Sequence, residues 1–378
     1  LQKAIQIKFC LIKKNMFLNK VNLQLLLMIC VTCSAAAQKL PTDKEITKQM
    51  RAVADYQLVQ KWSQAKHANG KLIMSPKTWE AGAFYPGILE VYRVTKDKKY
   101  LKTVQAVAEL NNYDRGPELR NADDQAILQT YMELYEFDKN PKDLTATKLT
   151  LDSIMTAPKV GSLEYSWADL LFMGPPVWSH YSKTSKDLKY LDFQNTIYWE
   201  AVNNLLDDNY HLFYRDNRFK TMKGETGKPI FWSRGNGWVI AGLVRVLDDM
   251  PKNYPAREKY EKLLLDMATS LKQLQQSDGF WKSDLLNPSK YPMGETSGTA
   301  FFCYGISWGI NHGILDKKTF LPVVEKAWGA LSSAVQPNGK LGFVQPGGDR
   351  PYISTPEMSN WYSAGGFLMA AKQILKLN

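Results

Sequence analysis

Residues 232–251 read WSRGNGWVIAGLVRVLDDMP. Aromatic and polar residues open this stretch, and an apolar run follows in which Gly and Ala interleave with Val, Ile and Leu. A helix that is apolar on nearly every side is buried on every side, and its small residues let neighbouring helices approach closely. Five other stretches share the design. They begin near Trp79 (WEAGAFYPGILEVYRVT), Asp123 (DDQAILQTYMELYEF), Trp167 (WADLLFMGPPVWSHYSKTS), Glu295 (ETSGTAFFCYGISWGINHGIL) and Ser359 (SNWYSAGGFLMAAKQILK). They are a weak internal repeat, the mark of an architecture built from one recurring unit.

Between them run amphipathic stretches, several opening on a shared phrase. Lys96-Asp97-Lys98-Lys99-Tyr100-Leu101 and Lys186-Asp187-Leu188-Lys189-Tyr190-Leu191 are the clearest copies. Arg257-Glu258-Lys259-Tyr260 and Asp316-Lys317-Lys318-Thr319-Phe320-Leu321 are looser, and Asn140-Pro141-Lys142-Asp143-Leu144 is the most degenerate. Each supplies a polar helix start followed by apolar residues at helical spacing, as in Leu263, Leu264, Met267, Leu271 and Leu274. Asp43 to about Trp62 gives one more such helix. Six buried helices alternating with six half-exposed ones predict an all-α, single-domain (α/α)6 toroid, an inner ring inside an outer ring. Short strands are expected in the loops at 212–218 and 341–345, and no sheet domain.

In such a ring the inner helices point the same way, so their N-terminal ends gather at one mouth, where free N–H groups and positive dipole ends favour anions. Those ends carry Trp79, Asp123, Asp124, Trp167, Asp169, Trp232, Arg234, Asn236, Trp238, Glu295, Thr296, Ser297, Asn360 and Trp361. Indole faces stack on pyranose rings, acids and hydroxyls bind sugar hydroxyls, and an arginine suits a uronate carboxylate. Each residue also has a plain structural reading. Asp123, Asp124 and Glu295 fit as helix-capping acids, Arg234 as an ion-pair partner, and Trp232 and Trp238 as core. Asp169 resists such a reading, because it lies between Trp167 and the apolar Leu170-Leu171-Phe172-Met173, where a buried carboxylate needs a reason.

Other chemistries find little support. His67, His180, His211 and His312 have no ligand spacing among them, so no metal site is expected. There is no Gly-x-Ser-x-Gly elbow and no phosphate-binding glycine motif on a strand.

Four motifs together resemble the unsaturated glucuronyl and rhamnogalacturonyl hydrolases, glycoside hydrolase families 88 and 105, with family 105 the nearer. They are WSRGNGW (232–238), Ala122-Asp123-Asp124-Gln125 with Gln129-Thr130-Tyr131, WADLLFM (167–173) and Glu295-Thr296-Ser297-Gly298-Thr299. The similarity runs from about residue 42 to the C-terminus. It implies the same (α/α)6 barrel, no metal or organic cofactor, and a substrate that is an oligosaccharide ending in a 4,5-unsaturated uronic acid, the product of a polysaccharide lyase. It also implies the reaction: an aspartic acid protonates C4 of the enol ether and water adds at C5. By this resemblance Asp169 is the general acid/base and Asp123 or Asp124, with Asp123 preferred, the second essential acid. Trp232, Arg234 and Trp238 hold the unsaturated ring, and Trp167 lines the pocket; the hydroxyls of Thr296 and Ser297, from their place at an inner-helix start, are expected to join in substrate binding. Two departures stand out. Some relatives place a histidine after a Leu-Phe-Tyr segment, where this chain has Arg215, which could still bind an anion. Leu128 stands where many relatives have glycine. The competing readings are a conventional inverting glycosidase, a sugar epimerase and a non-catalytic glycan-binding protein.

The charge fits a small uronate better than a nucleic acid. The chain has 378 residues and a formal charge of +11. Residues 1–37 hold five lysines and no acid, and without them +6 remains on about 340 residues, an ordinary density. From Met16 this segment reads as a secretory signal: Lys20, an apolar run from Leu23 to Val31, then small residues ending at Ala37. Residues 1–15 fit an upstream extension of the reading frame. An exported, periplasmic protein is expected, with a lipoprotein at Cys33 as the alternative. Cys303 is then a lone thiol with a core-packing role. Past the leader no run reaches spanning length. Amphipathic outer helices look alike in monomers and dimers, so the sequence is neutral on oligomeric state.

Overall fold

Each outer helix begins almost where an inner one stops, and the Lys-Asp phrase is the reason. Lys96, Lys139 and Lys186 adopt left-handed backbone (φ 55°, 57° and 58°) and close the preceding inner helix. The next polar residue caps the outer one: the Asp97 carboxylate accepts from Lys99 N–H at 3.1 Å, and Asp187 accepts from Lys189 N–H at 3.1 Å. A left-handed closing residue followed by a side-chain cap turns the chain back within a few residues.

The computed structural model describes residues 39–60, 76–157 and 163–378. The expected signal segment lies outside the described residues. In chain order the helices are α1 (Asp43–Val59), α2 (Trp79–Thr95), α3 (Lys98–Leu110), α4 (Ala122–Gln125), α5 (Leu128–Asp138), α6 (Lys142–Thr156), α7 (Leu170–Met173), α8 (Pro175–Ser185), α9 (Lys189–Leu205), α10 (Asn217–Thr221), α11 (Ser233–Asp249), α12 (Arg257–Leu274), α13 (Thr296–Asn311), α14 (Lys317–Ser333) and α15 (Trp361–Ile374). A minimal hairpin pairs β1 (Leu206–Asp207) with β2 (Leu212–Phe213).

The inner ring runs α2, α5, α8, α11, α13, α15, and α15 packs back on α2. The outer helices α1, α3, α6, α9, α12 and α14 lie against it. This is the twelve-helix (α/α)6 toroid the alternation predicts. Residues Leu40–Asn378 form one compact unit. Asn378 Nδ2 donates to Pro41 O at 3.0 Å across 337 residues of sequence, at the same seam where the ring closes.

Glycine sets the closest approaches. A Cβ on Gly365 of α15 would stand 2.1 Å from the carbonyl oxygen of Ala83 on α2, and one on Gly242 of α11 would stand 2.1 Å from that of Leu171. Only a residue without a Cβ permits these crossings.

Two inner helices are not continuous, as the sequence pattern suggested, but broken. α4 is a single turn ahead of α5, and α7 is a single turn ahead of α8. At the second break Gly174-Pro175-Pro176 explains the interruption, since proline has no N–H for the ladder. At the first, Gln129 and Thr130 N–H groups bond three residues back, to Ala126 and Ile127, a tighter winding without a proline. Asp123 sits on the first isolated turn and Asp169 immediately precedes the second.

The ring has two chemically different ends. Glu90, Glu133, His180, Arg245, Tyr304 and Lys372, one from the far part of each inner helix, line one cavity. Residues at inner-helix starts line another. The six inner helices therefore run parallel. At the far end, Arg93 and Arg245 grip Glu133 at 2.7 and 2.6 Å, so cations sit where helix C-termini favour them.

Candidate active site

The cavity at the helix starts measures about 310 Å³ and is lined by Trp79, Glu80, Asp123, Trp167, Asp169, Met173, Arg215, Arg234, Gly347 and Gly348. Six of the residues singled out in the sequence meet here: Trp79, Asp123, Trp167, Asp169, Arg215 and Arg234.

Asp169 is 8% exposed. Burial raises its pKa, opposed by the charges of Arg215 and Arg234. Its Oδ2 has no hydrogen-bond partner, and Arg215 Nε, equally unpartnered, stands 3.5 Å away. Asp123 is pushed up to about 7, chiefly by burial and then by the charges of Asp169 and Glu80. Glu80 is also raised by burial, against a hydrogen bond from Thr78. Burial thus raises the pKa of all three carboxyls that share this space.

Arg215 reaches the cavity because the segment running from β2 to it is pinned at both ends. Asn236 accepts from Phe213 N–H at 2.7 Å and donates to Phe213 O at 3.0 Å, fixing β2 on α11. Ala168 N–H donates to Arg215 O at 2.8 Å. The guanidinium then lies 5.3 Å over the Trp167 ring.

Arg234 is 1% exposed and lies between the rings of Trp232 and Tyr362, at 4.5 and 4.8 Å. It donates to Gln345 O, Tyr362 Oη and Pro346 O at 3.0, 3.0 and 2.8 Å. All three partners are neutral, its Nε–H has no acceptor, and among the described residues it forms no ion pair with an acid. A buried cation held this way keeps its charge uncompensated by the protein.

Five expected site residues stand behind the wall instead of on it. Asp124 turns away, and its carboxylate accepts from Glu118 N–H at 3.0 Å to hold the loop before α4. The structure thus separates the adjacent acids: Asp123 faces the cavity and Asp124 does not. Trp232 donates through Nε1 to Gln345 Oε1 at 3.0 Å and supports Arg234 from beneath. Trp238 is core, with Phe301 and Phe172 at 4.3 and 4.8 Å and the cavity-lining Trp79 edge-on at 6.0 Å. Thr296 donates to Gly342 O at 2.9 Å, and Ser297 donates to the capping carboxylate of Glu295, which also accepts from Ser233 Oγ at 3.0 Å. Both hydroxyls are fully buried in these tasks. Leu128 is buried and is not part of the cavity wall.

The sequence profile of Glycosyl Hydrolase Family 88 matches residues 38–378. The chain belongs to this family. It is 35% identical over 383 residues to the unsaturated 3S-rhamnoglycuronyl hydrolase of Formosa agariphila, covering 96% of this chain and 99% of that one. It is 36% identical over 323 residues to the enzyme of the same name from an Alteromonas species, covering 80% and 78%. The solved family 88 glycosyl hydrolase from Bacteroides vulgatus superposes with a TM-score of 0.82 at 28% identity, over 89% of this chain and 100% of that one.

Sequence reasoning did not single out four wall residues of this family 88 glycoside hydrolase. Glu80 follows Trp79 at an inner-helix start and was open to the same rule as Asp123. Met173 lies inside a quoted motif but reads as core. Gly347 and Gly348 belong to a loop with no periodic signal. That loop is carried by Gln345, which bonds Trp232, Arg234 and Tyr352 N–H together. Among the described residues no group of His, Cys, Asp and Glu is placed to hold a metal ion, and no helix is long and apolar enough to cross a membrane. Cys303 is buried, which pushes its thiol up to about 12.

Proposed function

We propose that this enzyme removes a terminal 4,5-unsaturated uronic acid from lyase-generated oligosaccharides, with Asp169 as general acid. The observation that carries the reading is Asp169 itself: a buried carboxyl with a raised pKa and an unpartnered oxygen, in a cavity that also offers an unneutralised arginine and an aromatic wall.

The roles follow from placement. Arg234 takes the uronate carboxylate, and Trp167 and Trp79 flank the flat unsaturated ring. Protonated Asp169 delivers its proton to C4, and the C4=C5 electron pair forms the new C4–H bond. Positive charge develops on C5 and the ring oxygen, where the Asp123 carboxylate stabilises it. Water adds to C5 and gives its proton to the Asp169 carboxylate. The resulting hemiketal opens by cleaving C5–O5. The hemiacetal left at C1 releases the remaining sugar, and the uronate departs as an open-chain keto acid. An acid that must both give and take a proton works best with a pKa above the ordinary carboxyl range, and burial moves Asp169 in that direction.

The two curated relatives are named for 3S-rhamnoglycuronyl substrates, so we infer a uronate-rhamnose unit as the preferred substrate. Export to the periplasm, read from Met16–Ala37, fits an enzyme that meets the products of secreted lyases. The test is optical. Unsaturated oligosaccharides absorb in the ultraviolet through the C=C conjugated with the carboxylate, and the enzyme should abolish that absorbance. Sugar release with the absorbance intact would instead assign a conventional glycosidase, and no change with any unsaturated substrate would refute both.

A further inference from the structure

Arg215 has a better partner than Asp169. Its Nη1 donates to Asp216 Oδ2 at 2.9 Å, whereas its Nε stands 3.5 Å from Asp169 without bonding it. Asp216 is 9% exposed and tightly held. It accepts from Arg218 N–H and Nε, both at 2.9 Å, and from Arg218 Nη2 at 2.7 Å. Arg218 in turn reaches Asp349 at 2.8 Å, next to Gly348 in the cavity wall. Charges alternate along one line, from Asp169 through Arg215, Asp216 and Arg218 to Asp349. Asp216 is also backbone-paired with Trp167, two residues before the acid.

We infer that Asp216 is a positioning residue for the reaction: by engaging one edge of the Arg215 guanidinium, it keeps that cation from closing a full ion pair with Asp169, so the acid retains its proton. The inference rests on Asp169 being the general acid. A guanidinium shared between two carboxylates stabilises each less than one it serves alone. Without the Asp216 charge, Asp169 is the only acid left within 4 Å of Arg215 among the described residues. Arg215 then pairs with it and holds it ionised, and losing the negative charge of Asp216 acts in the same direction. The other groups that bear on Asp169 stay as they are: Asp123 and Glu80 favour its protonation, and Arg234 opposes it. On the far side, Arg218 bonds Asp216, and Asp349 and Arg350 lie beyond it in the same line. Asp216 also caps α10, and asparagine preserves that cap.

The experiment is the pH dependence of kcat/KM, read as loss of ultraviolet absorbance, for wild type, Asp216→Asn, Asp216→Glu and Asp349→Asn. In Asp216→Asn the alkaline limb, where the acid loses its proton, should move acidward by about one pH unit. Asp216→Glu should bring it back toward wild type. Asp349→Asn cuts the tie from Arg218 to the wall loop, and should raise KM while leaving the limb in place. Asp216→Ser, which keeps a capping oxygen, serves if the asparagine variant does not fold. An unmoved limb in Asp216→Asn, or an equal shift in Asp349→Asn, overturns the inference. Asp169→Asn separates the two levels. Wild-type turnover in that variant overturns the assignment of the acid, whereas a dead Asp169→Asn with an unmoved Asp216→Asn limb overturns only the role of Asp216.

Discussion

Asp169 Oδ2 and Arg215 Nε face each other at 3.5 Å, and neither forms a hydrogen bond. Buried polar atoms are ordinarily satisfied, and leaving them unmatched costs free energy. Such a pair persists where the surroundings are built around it, and here both residues line the cavity at the helix starts.

The first prediction concerns that acid. Asp169→Asn keeps the shape and loses the proton, so substrate should bind with near-wild-type affinity while turnover falls by about 10²-fold or more. Calorimetric binding alongside the ultraviolet assay measures both. Equal loss of binding and turnover would make Asp169 a binding residue only.

Arg234→Lys should fold but recognise the uronate poorly. Lysine keeps the charge but cannot span Gln345 O, Pro346 O and Tyr362 Oη while also offering an N–H to the cavity. We expect kcat/KM to fall by about 10²-fold, mainly through KM. An unaltered KM would take the carboxylate away from Arg234.

Asp123 links stability to pH. Folded, it titrates at about 7, against an ordinary 3.8. Between those values the folded state holds a proton that the unfolded state has released, so this group's contribution to stability falls as pH rises from about 4 to about 7. Asp123→Asn removes the burden. Its melting temperature should exceed wild type by about 2–4 °C at pH 8 and match it near pH 4, even as activity drops. A pH-independent difference would place Asp123 in a solvated setting.

Trp238 and Trp167 should part company when truncated. Trp238→Ala empties a core position and should cost about 3–5 kcal/mol of stability. Trp167→Ala, at the cavity wall, should raise KM with a smaller loss of stability. Denaturant melts and KM for the two variants check this, and a reversed pattern would return Trp238 to the substrate.

Lys186 has positive φ at a helix end, a conformation that costs a residue with a Cβ about 1 kcal/mol. Lys186→Gly should therefore stabilise the enzyme by up to about 1 kcal/mol, with activity unaltered. Destabilisation would mean that the lysine side chain does more for that turn than its backbone loses.

The toroid was legible because its signal is spread over the whole chain. Six copies of one pattern outvote any local ambiguity, and the Lys-Asp phrase marks where one helix yields to the next. The site was legible in part, for a reason visible at Arg234 and Trp232. Residues two apart at a helix start both belong to the mouth, but one lines the cavity and the other its neighbour's underside. Periodicity places a residue at an end of the ring without saying how deep it stands. Thr296 and Ser297 illustrate the same limit, since a hydroxyl that binds sugar and one that caps a helix leave the same trace in a sequence. Gly347 and Gly348 left none, because their position is set by Gln345 through contacts with three distant elements.

The seam between α2 and α15 bears on the order of events during folding. Five hairpins can stack as the chain emerges, but the ring closes only when α15 docks against Ala83 and brings Tyr362 under Arg234. Contacts of such sequence separation form late. Until then Arg234 lacks the ring on one side and the Gln345 loop has no anchor to Tyr362. Partly folded chains can therefore be helical and collapsed while having no receptor for an anion. In refolding experiments, recovery of the helical signal should run ahead of recovery of activity, and the lag between them times the docking of one helix.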